Sequence, residues 1–410
     1  VPQPSGAPAR VGLLLVGILL IAANMRAPIT SVGPVLTDIQ ATLGFGASTA
    51  SILASIPVMS FALFAPIAPI VANRFGIERT LGGAVLLLAA AIVGRSLPVP
   101  GLIWVGTVLI GVSIALINVL LPALIKRDFS SRVGQITGLY SAVQSAFAAM
   151  AAGFAVPIAG MSAEGWRLSL GIWAGVAIIA FAVFVPQLRS TTYPTLGATL
   201  GSAAAPGAAS AFHHTWRSPW KSLLGWQVTF FMGFQSMIYY TVIAWWPTIE
   251  QAQGISNGEA GWHQFTYQAF GILGSISCAQ AIQRLSDQRV IVVALTAFQA
   301  TAILGQLSEP SLGLLWMMLL GIGSGGNIVL ALSFFGLRTS NHHQAASLSG
   351  MAQSVGYAMA ALSPIMVGVL HDATGGWQAS IMMLLGVLVV QLVMGLFAGA
   401  NRLIGERHRT

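Results

Sequence analysis

The chain has 410 residues, 56% hydrophobic and only 7% charged, against about 25% charged in soluble domains, so it cannot cover an ordinary water-facing surface. Its formal charge of +8 is spread over 18 Lys and Arg without a basic run interleaved with aromatics, which argues against a nucleic-acid face. The single Cys278 excludes an intramolecular disulfide and supplies no metal-ligand spacing.

A mean hydropathy of +0.81 points to a polytopic membrane protein. Residues 1–10, VPQPSGAPAR, are expected to be a disordered tail. From Val11 the apolar run continues into polar and proline positions without a cleavage site, which suits a first spanning helix better than a signal peptide. A 30 Å hydrocarbon core takes about 20 helical residues. A helix beginning near Val11 therefore still has Asn24 and Arg26 in its outer half. A cation there costs at least roughly 2.5 to 3.5 kcal/mol unless it faces the bundle interior, water or a partner.

Apolar stretches of spanning length recur at 11–36, 47–71, 80–97, 101–125, 133–158, 167–187, 221–247, 262–283, 289–307, 312–336, 344–369 and 377–400, a count of twelve. Residues 189–217, rich in Ala, Gly, Ser and Pro and carrying His213 and His214, read as a cytoplasmic linker. It separates an N-terminal six-helix bundle, 11–188, from a C-terminal one, 218–400, with a cytoplasmic tail at 401–410. With both termini inside, the cytoplasmic segments hold every Lys and Arg except Arg26, Arg95 and Arg167, a strong positive-inside bias. Acidic Asp38, Glu164, Glu250, Glu259, Glu309 and Asp372 fall in the outer connections.

The halves also repeat. Trp104, Gly111 and Arg127 match Trp316, Gly323 and Arg338, and EGWRLSL at 164–170 matches GGWQASI at 375–381, with a nearly constant offset. An ordered series of this kind supports an internal duplication in the same membrane orientation.

The segments NMRAPIT at 24–30, VANRFGIERT at 71–80, LLPALIKRDF at 120–129, GLYS at 138–141, WRSPWKSLLGWQVTFFMGFQSMIYYTVIAWWP at 216–247 and HHQAASLSGMAQSVGYAMAALSPIMVG at 342–368 carry a resemblance over nearly the whole chain. They resemble the major facilitator superfamily and, within it, the branch of cyanate and 2-nitroimidazole transporters. The resemblance implies an all-α polytopic membrane fold of twelve transmembrane helices in two pseudo-symmetric six-helix bundles, with helices 1, 4, 7 and 10 facing a central cavity. One family signature is altered. In the connection after the second helix Asn73 stands where an acidic residue is expected, while Arg74, Gly76 and Arg79 remain. The usual electrostatic latch is then weaker or uses Glu78. Arg284, Asp287 and Arg289 occupy the corresponding connection of the second half, and both loops suit gating or topology better than cargo chemistry.

The cavity candidates are Asn24 and Arg26 on helix one, Asn118 on helix four and Asn327 on helix ten. The guanidinium fork suits a planar anion or electron-rich group, whereas each Asn equally suits an interhelical hydrogen bond. Tyr140 and Gln144, Gln235 and Tyr239, and Gln353 and Tyr357 are each four residues apart and so share a helix face. Such a face joins a flat wall to amide and hydroxyl groups and suits a small planar polar solute. Gln264, Tyr267 and Gln268 are candidates for an outer gate, with His263 nearby as a surface residue. Trp245 and Trp246, beside Pro247, suit an outer aromatic belt. His342 and His343 suit the cytoplasmic interface.

No nucleophile–base set, metal cluster or phosphate loop appears, so neither an enzyme nor a cofactor is expected. GIGSGG at 321–326 suits helix packing. No acidic residue falls securely inside an expected span, so proton coupling stays open. The main expectation is a secondary transporter in the bacterial inner membrane. It would move a small polar, anionic or planar heterocyclic cargo, cyanate-like or nitroimidazole-like, by alternating access. A proton-coupled multidrug exporter and a non-transporting receptor or assembly protein are the rivals. Membrane lipids are the expected surroundings, and no obligate protein partner is indicated.

Overall fold

The computed structural model describes residues 7–129, 132–189, 218–340 and 342–405. Residues 1–6 of the expected tail, 190–217 of the expected linker with both its histidines, and 406–410 lie outside them. The described residues form helices and turns without strands. Twelve spans are present among them, and eleven are long and apolar enough to cross a bilayer by length and composition. The other, Asn257–Arg284, has the length but carries Glu259, His263, Gln264 and Gln268 along its first half.

The first span starts as Ala7–Ala23, breaks, and resumes as Ala27–Thr30, a 3-10 turn Gly33–Val35 and Leu36–Leu43. Proline 28 causes the break: it has no N–H, and its ring excludes the carbonyl four residues back, that of Asn24. The turn N–H groups of Asn24 and Met25 reach back only three residues, to Ile21 and Ala22. Because the span runs on to Leu43, Arg26 lies about midway along it and not in its outer half.

The second to sixth spans are Ala47–Phe64 continued by Ala68–Phe75, then Ile77–Ser96, Leu102–Asp128, Val133–Ala159, and Gly165–Gly171 continued by Trp173–Phe184. The seventh, Leu223–Ala252, carries Pro247 inside it and continues beyond the end expected there. Trp245 and Trp246 are consequently fully buried, and do not form an exposed belt. The remaining spans are Asn257–Arg284, Arg289–Ser308, Gly313–Leu337, His342–Thr374 and Gln378–Ala398.

The chain divides into two compact units, Val1–Pro194 with Ile243–Ala269, and Thr195–Val242 with Phe270–Thr410. In the first unit, the turns after odd-numbered spans meet at one end, called here the far end: Trp166 Nε1 donates to Thr42 Oγ1 at 3.1 Å, and Arg167 to the Leu97 carbonyl at 3.1 Å. The turns after even-numbered spans form the near end. Large apolar side chains such as Leu63 and Ile70 stay exposed along the spans, as lipid-facing residues must.

Lipid offers no hydrophobic drive for helix association, so close contact depends on small residues. The eighth and tenth spans use them within the second unit. A Cβ added at Gly325 would lie 1.9 Å from the Gly271 carbonyl oxygen, and one at Gly274 2.1 Å from that of Ile322. Ser275 Oγ bonds the Gly325 carbonyl at 2.9 Å across the same crossing. Gly325→Ala is therefore expected to destabilise the purified protein by about 1–3 kcal/mol through forced backbone separation. Gly336→Ala, where an added Cβ meets nothing within 4 Å, serves as the neutral control in the same thermal melts.

Candidate functional site

The break in the first span is the most unusual polar feature of the first unit. Arg26 caps the resumed helix: its carbonyl accepts from the amides of Ile29 and Thr30 at 2.9 and 3.0 Å, and its side chain is half-buried. Asn24 is buried and donates Nδ2 to the Leu20 carbonyl at 2.8 Å, with its Oδ1 lacking a partner among the described residues. Thr30 Oγ1 lies 3.0 Å from the Ala148 carbonyl and ties the resumed segment to the fifth span. That span carries half-buried Tyr140 and Gln144, and the charge of Arg26 reaches the Tyr140 hydroxyl. Asn118, on the fourth span, is exposed.

The sequence puts Arg95 near the outer end of the expected third span, 80–97, and gives it no role. It is 2% exposed, and its Nη1 donates to the Pro28 carbonyl at 2.8 Å. That carbonyl is available because the Val32 amide turns to Ile29 at 3.2 Å. Arg95 thus braces the break from the third span. Its signal was the proximity of a cation to the end of an apolar run, which does not distinguish a snorkelling arginine from an inward one.

The far end of the first unit holds Gln264, Tyr267 and Gln268, all buried. The Gln264 amide has neither polar atom bonded among the described residues. Glu250 corrects its expected place in an outer loop. The seventh helix continues past Pro247 and carries Glu250 inside, fully buried, with Oε1 3.0 Å from His263 Nδ1. The eighth helix starts at Asn257, five residues before the expected position, because Ser256 and Glu259 form a reciprocal cap: the Ser256 amide donates to Glu259 Oε2 at 3.2 Å, and the Glu259 amide to Ser256 Oγ at 3.3 Å. That S-x-x-E signal was legible in the sequence.

The second unit treats its candidates differently. Gln235 is buried, and its amide nitrogen lies 3.1 Å from the Met232 carbonyl and 2.7 Å from Ser236 Oγ. Tyr239 is half-buried and stacks edge-on against Tyr240 at 5.2 Å. Gln353 and Tyr357 are half-buried, Gln353 donating to Ser349 Oγ at 2.8 Å. Asn327 is fully buried in an amide cluster, donating to Gln299 Oε1 at 2.9 Å, which also accepts from Gln391 at 3.0 Å. This cluster ties the ninth, tenth and twelfth spans together.

Each half uses a matching device within its own unit. Buried Glu78 receives Arg127 Nη1 at 2.6 Å. Hydrogen bonds to Asp128 first and then to Glu78 hold the Arg127 guanidinium above its ordinary pKa despite partial burial. In the second unit the repeat partner Arg338 is buried, donates to the carbonyls of Ala398 and Gly399 at 2.7 and 3.0 Å, and contacts Gln288 Oε1. Glutamine 288 stands where the first half has Glu78. Gly76, at φ +87°, makes the turn before Glu78, with Arg74 and Arg79 exposed and Asn73 half-buried. Arg284, Asp287 and Arg289 are exposed, and the Asp287 carboxylate accepts from the Arg289 amide at 2.9 Å.

The Major Facilitator Superfamily model matches residues 14–244 and 228–403, and the chain belongs to that family of transporters. It is 38% identical over its full length to 98% of the uncharacterized transporter YycB of Bacillus subtilis (strain 168). It is 39% identical to the 2-nitroimidazole transporter of Escherichia coli (strain K12), covering 94% of each chain. To the cyanate transport protein CynX of the same organism it is 26% identical over 92% of this chain and 96% of the relative. The fold matches a bacterial homologue of the human lysosomal transporter Spinster, with a TM-score of 0.76, 15% identity, and 97% and 98% of the two chains covered. The chain is a secondary transporter.

Removing Arg127 takes a cation away from buried Glu78, whereas Arg127 keeps Asp128 when Glu78 is replaced. In a double-mutant cycle of Glu78→Gln and Arg127→Ala, unfolding in detergent is expected to show a coupling of about 1–2 kcal/mol. Additive losses would place no direct interaction there.

Proposed function

We propose that the protein moves a small planar solute, anionic or electron-rich like cyanate or a nitroimidazole, across the bacterial inner membrane by alternating access. The observation that carries this reading is the proline break, which leaves a half-buried arginine midway along a span beside Asn24 and a tyrosine of the fifth span. An arginine is kept at membrane depth only for strong reason, and its planar fork matches a flat anion. Tyr140, Gln144 and Asn118 supply an aromatic wall and neutral polar edges in the same unit. The names of two relatives, a cyanate and a 2-nitroimidazole transporter, describe cargoes that share this flat, small, polar chemistry. Gln235, Tyr239, Gln353 and Tyr357 are carried as cargo contacts of the second unit; Asn327, enclosed by Gln299, acts through packing.

The turns that carry Arg74, Arg79, Arg127, Arg132, Arg189, Lys221, Arg284, Arg289, Arg338 and Arg402 are taken as cytoplasmic under the positive-inside rule, with both termini on that side. The halves 11–188 and 218–400 are the moving bodies, and the Glu78–Arg127 and Gln288–Arg338 contacts are their cytoplasmic latches.

In sealed proteoliposomes, with a panel of cyanate, nitroimidazoles and unrelated drugs, Arg26→Ala is expected to lower flux of the preferred planar cargo about ten- to hundredfold, the value of one or two charge-assisted hydrogen bonds. Arg26→Lys retains part of the flux. Equal flux in wild type and R26A for a good substrate overturns the site.

A further inference from the structure

The segment Ile243–Ala269 packs into the first unit through three contacts. Proline 247 cannot donate to the carbonyl four residues back, that of Ile243. This carbonyl meets Gly33, where an added Cβ would lie 2.1 Å from it. Thr37 Oγ1 then donates to Gln251 Oε1 at 3.1 Å, while Trp262 and Phe265 close on Gly153 of the fifth span. This packing withdraws Glu250 from solvent entirely, with one carboxylate oxygen on His263 Nδ1 and the other without a partner among the described residues. Trp246 Nε1, Thr248 Oγ1, Gln251 Nε2 and the whole Gln264 amide are likewise buried without a partner among them. A buried polar group left unpaired is costly, so this segment holds a set of groups that water would satisfy if it separated from the first and fifth spans.

The charge balance of the pair is decisive. With one proton shared between an ionised carboxylate and the imidazole it is neutral; without that proton it carries a buried negative charge. Among the described residues, His263 is the one ionisable partner of the Glu250 carboxylate. The other ionisable groups toward this end of the first unit are Glu259, which is exposed and held by Ser256; Asp38, adjacent to Thr37 on the first span; Glu164, which pairs with Arg167; and buried Arg95, whose Nη1 donates to the Pro28 carbonyl. Arg167 also donates to the Leu97 carbonyl. The fifth span meets the segment with Gly153 and Phe154, which carry no charge.

We propose that Glu250 and His263 form a proton-binding site whose occupancy is required for residues 243–269 to pack against the first and fifth spans, so that losing the proton separates them. This adds a coupling ion to the transport reading above and rests on it, because it assumes that the protein changes conformation. The site does not involve Arg26, so its test is independent of cargo.

The sole native thiol, Cys278, is buried. With Cys278→Ser and a reporter at buried Thr248→Cys, labelling by a membrane-impermeant maleimide in vesicles whose far end faces the medium reads the separation. Each measurement is taken as a ratio to the same reporter carrying Glu250→Gln, so that the thiol's own ionisation cancels. The ratio is expected to rise at least about threefold as pH increases by roughly two units through the pair's titration, the direction set by proton loss from the packed state. Gly33→Ala is expected to label strongly at every pH. A second reporter, Thr37→Cys on the first span, repeats the series if Thr248→Cys fails to fold. A flat ratio at both reporters overturns the proposal whether or not R26A alters flux, and a flux failure with a rising ratio overturns only the cargo site.

Discussion

A bilayer interior donates and accepts no hydrogen bonds, so any backbone or side-chain polar group placed there must be satisfied by the protein. The first and seventh spans of this protein break that economy at one point each, and in both cases a proline is responsible. Proline 28 stops the first span beside Asn24 and Arg26, and the freed carbonyl at residue 28 is taken up by the buried guanidinium of Arg95. Proline 247 leaves the Ile243 carbonyl without its helical donor, and Gly33 packs directly against it. The two defects flank one another along the first span, on either side of its resumed helix. That short segment is the part of the first unit whose position governs both Arg26 and the packing of residues 243–269.

The charged groups divide into two kinds. Near the polar ends they serve as clasps. Arg127 holds Glu78, and Arg338 closes on Gln288 and on the carbonyls that end the twelfth span. These clasps are related by the internal repeat, and the replacement of a carboxylate by an amide makes the second neutral in its acceptor. Arg26, midway along its span, and Arg95 and Glu250, enclosed near the far ends of theirs, are charges that burial penalises and that packing alone does not require. Arg95 can be understood as a brace. Arg26 and Glu250 remain as the groups that packing does not account for, and they are the ones proposed to meet a cargo and a proton.

Much of the fold is legible in the chain because hydropathy and length answer directly to bilayer thickness. Twelve segments, the duplication, and the glycine-lined crossing at 321–326 follow from residue type and spacing. The eighth span illustrates the limit of that reasoning. Its polar first half delayed the expected start to residue 262, although Ser256 and Glu259 announced the true start by their spacing. Proline 247 misleads in the same way: as the last residue of the expected span 221–247 it leaves Glu250 in a loop. A proline inside a membrane helix is tolerated when neighbouring spans cover the exposed carbonyl, which local sequence does not record.

What the sequence determined by itself was a polytopic membrane protein, the number of spans and the presence of an arginine at membrane depth, because these depend on composition and periodicity along the chain. The tertiary structure decided which polar residues are enclosed and by what. It turned Asn327 into a member of an amide cluster, brought Arg95 from the third span to the Pro28 carbonyl, and joined Glu250 to His263 across a turn. Each of these depends on the rotation of one helix about its axis relative to another. That rotation is set by the summed packing of many small residues, and no single motif encodes it.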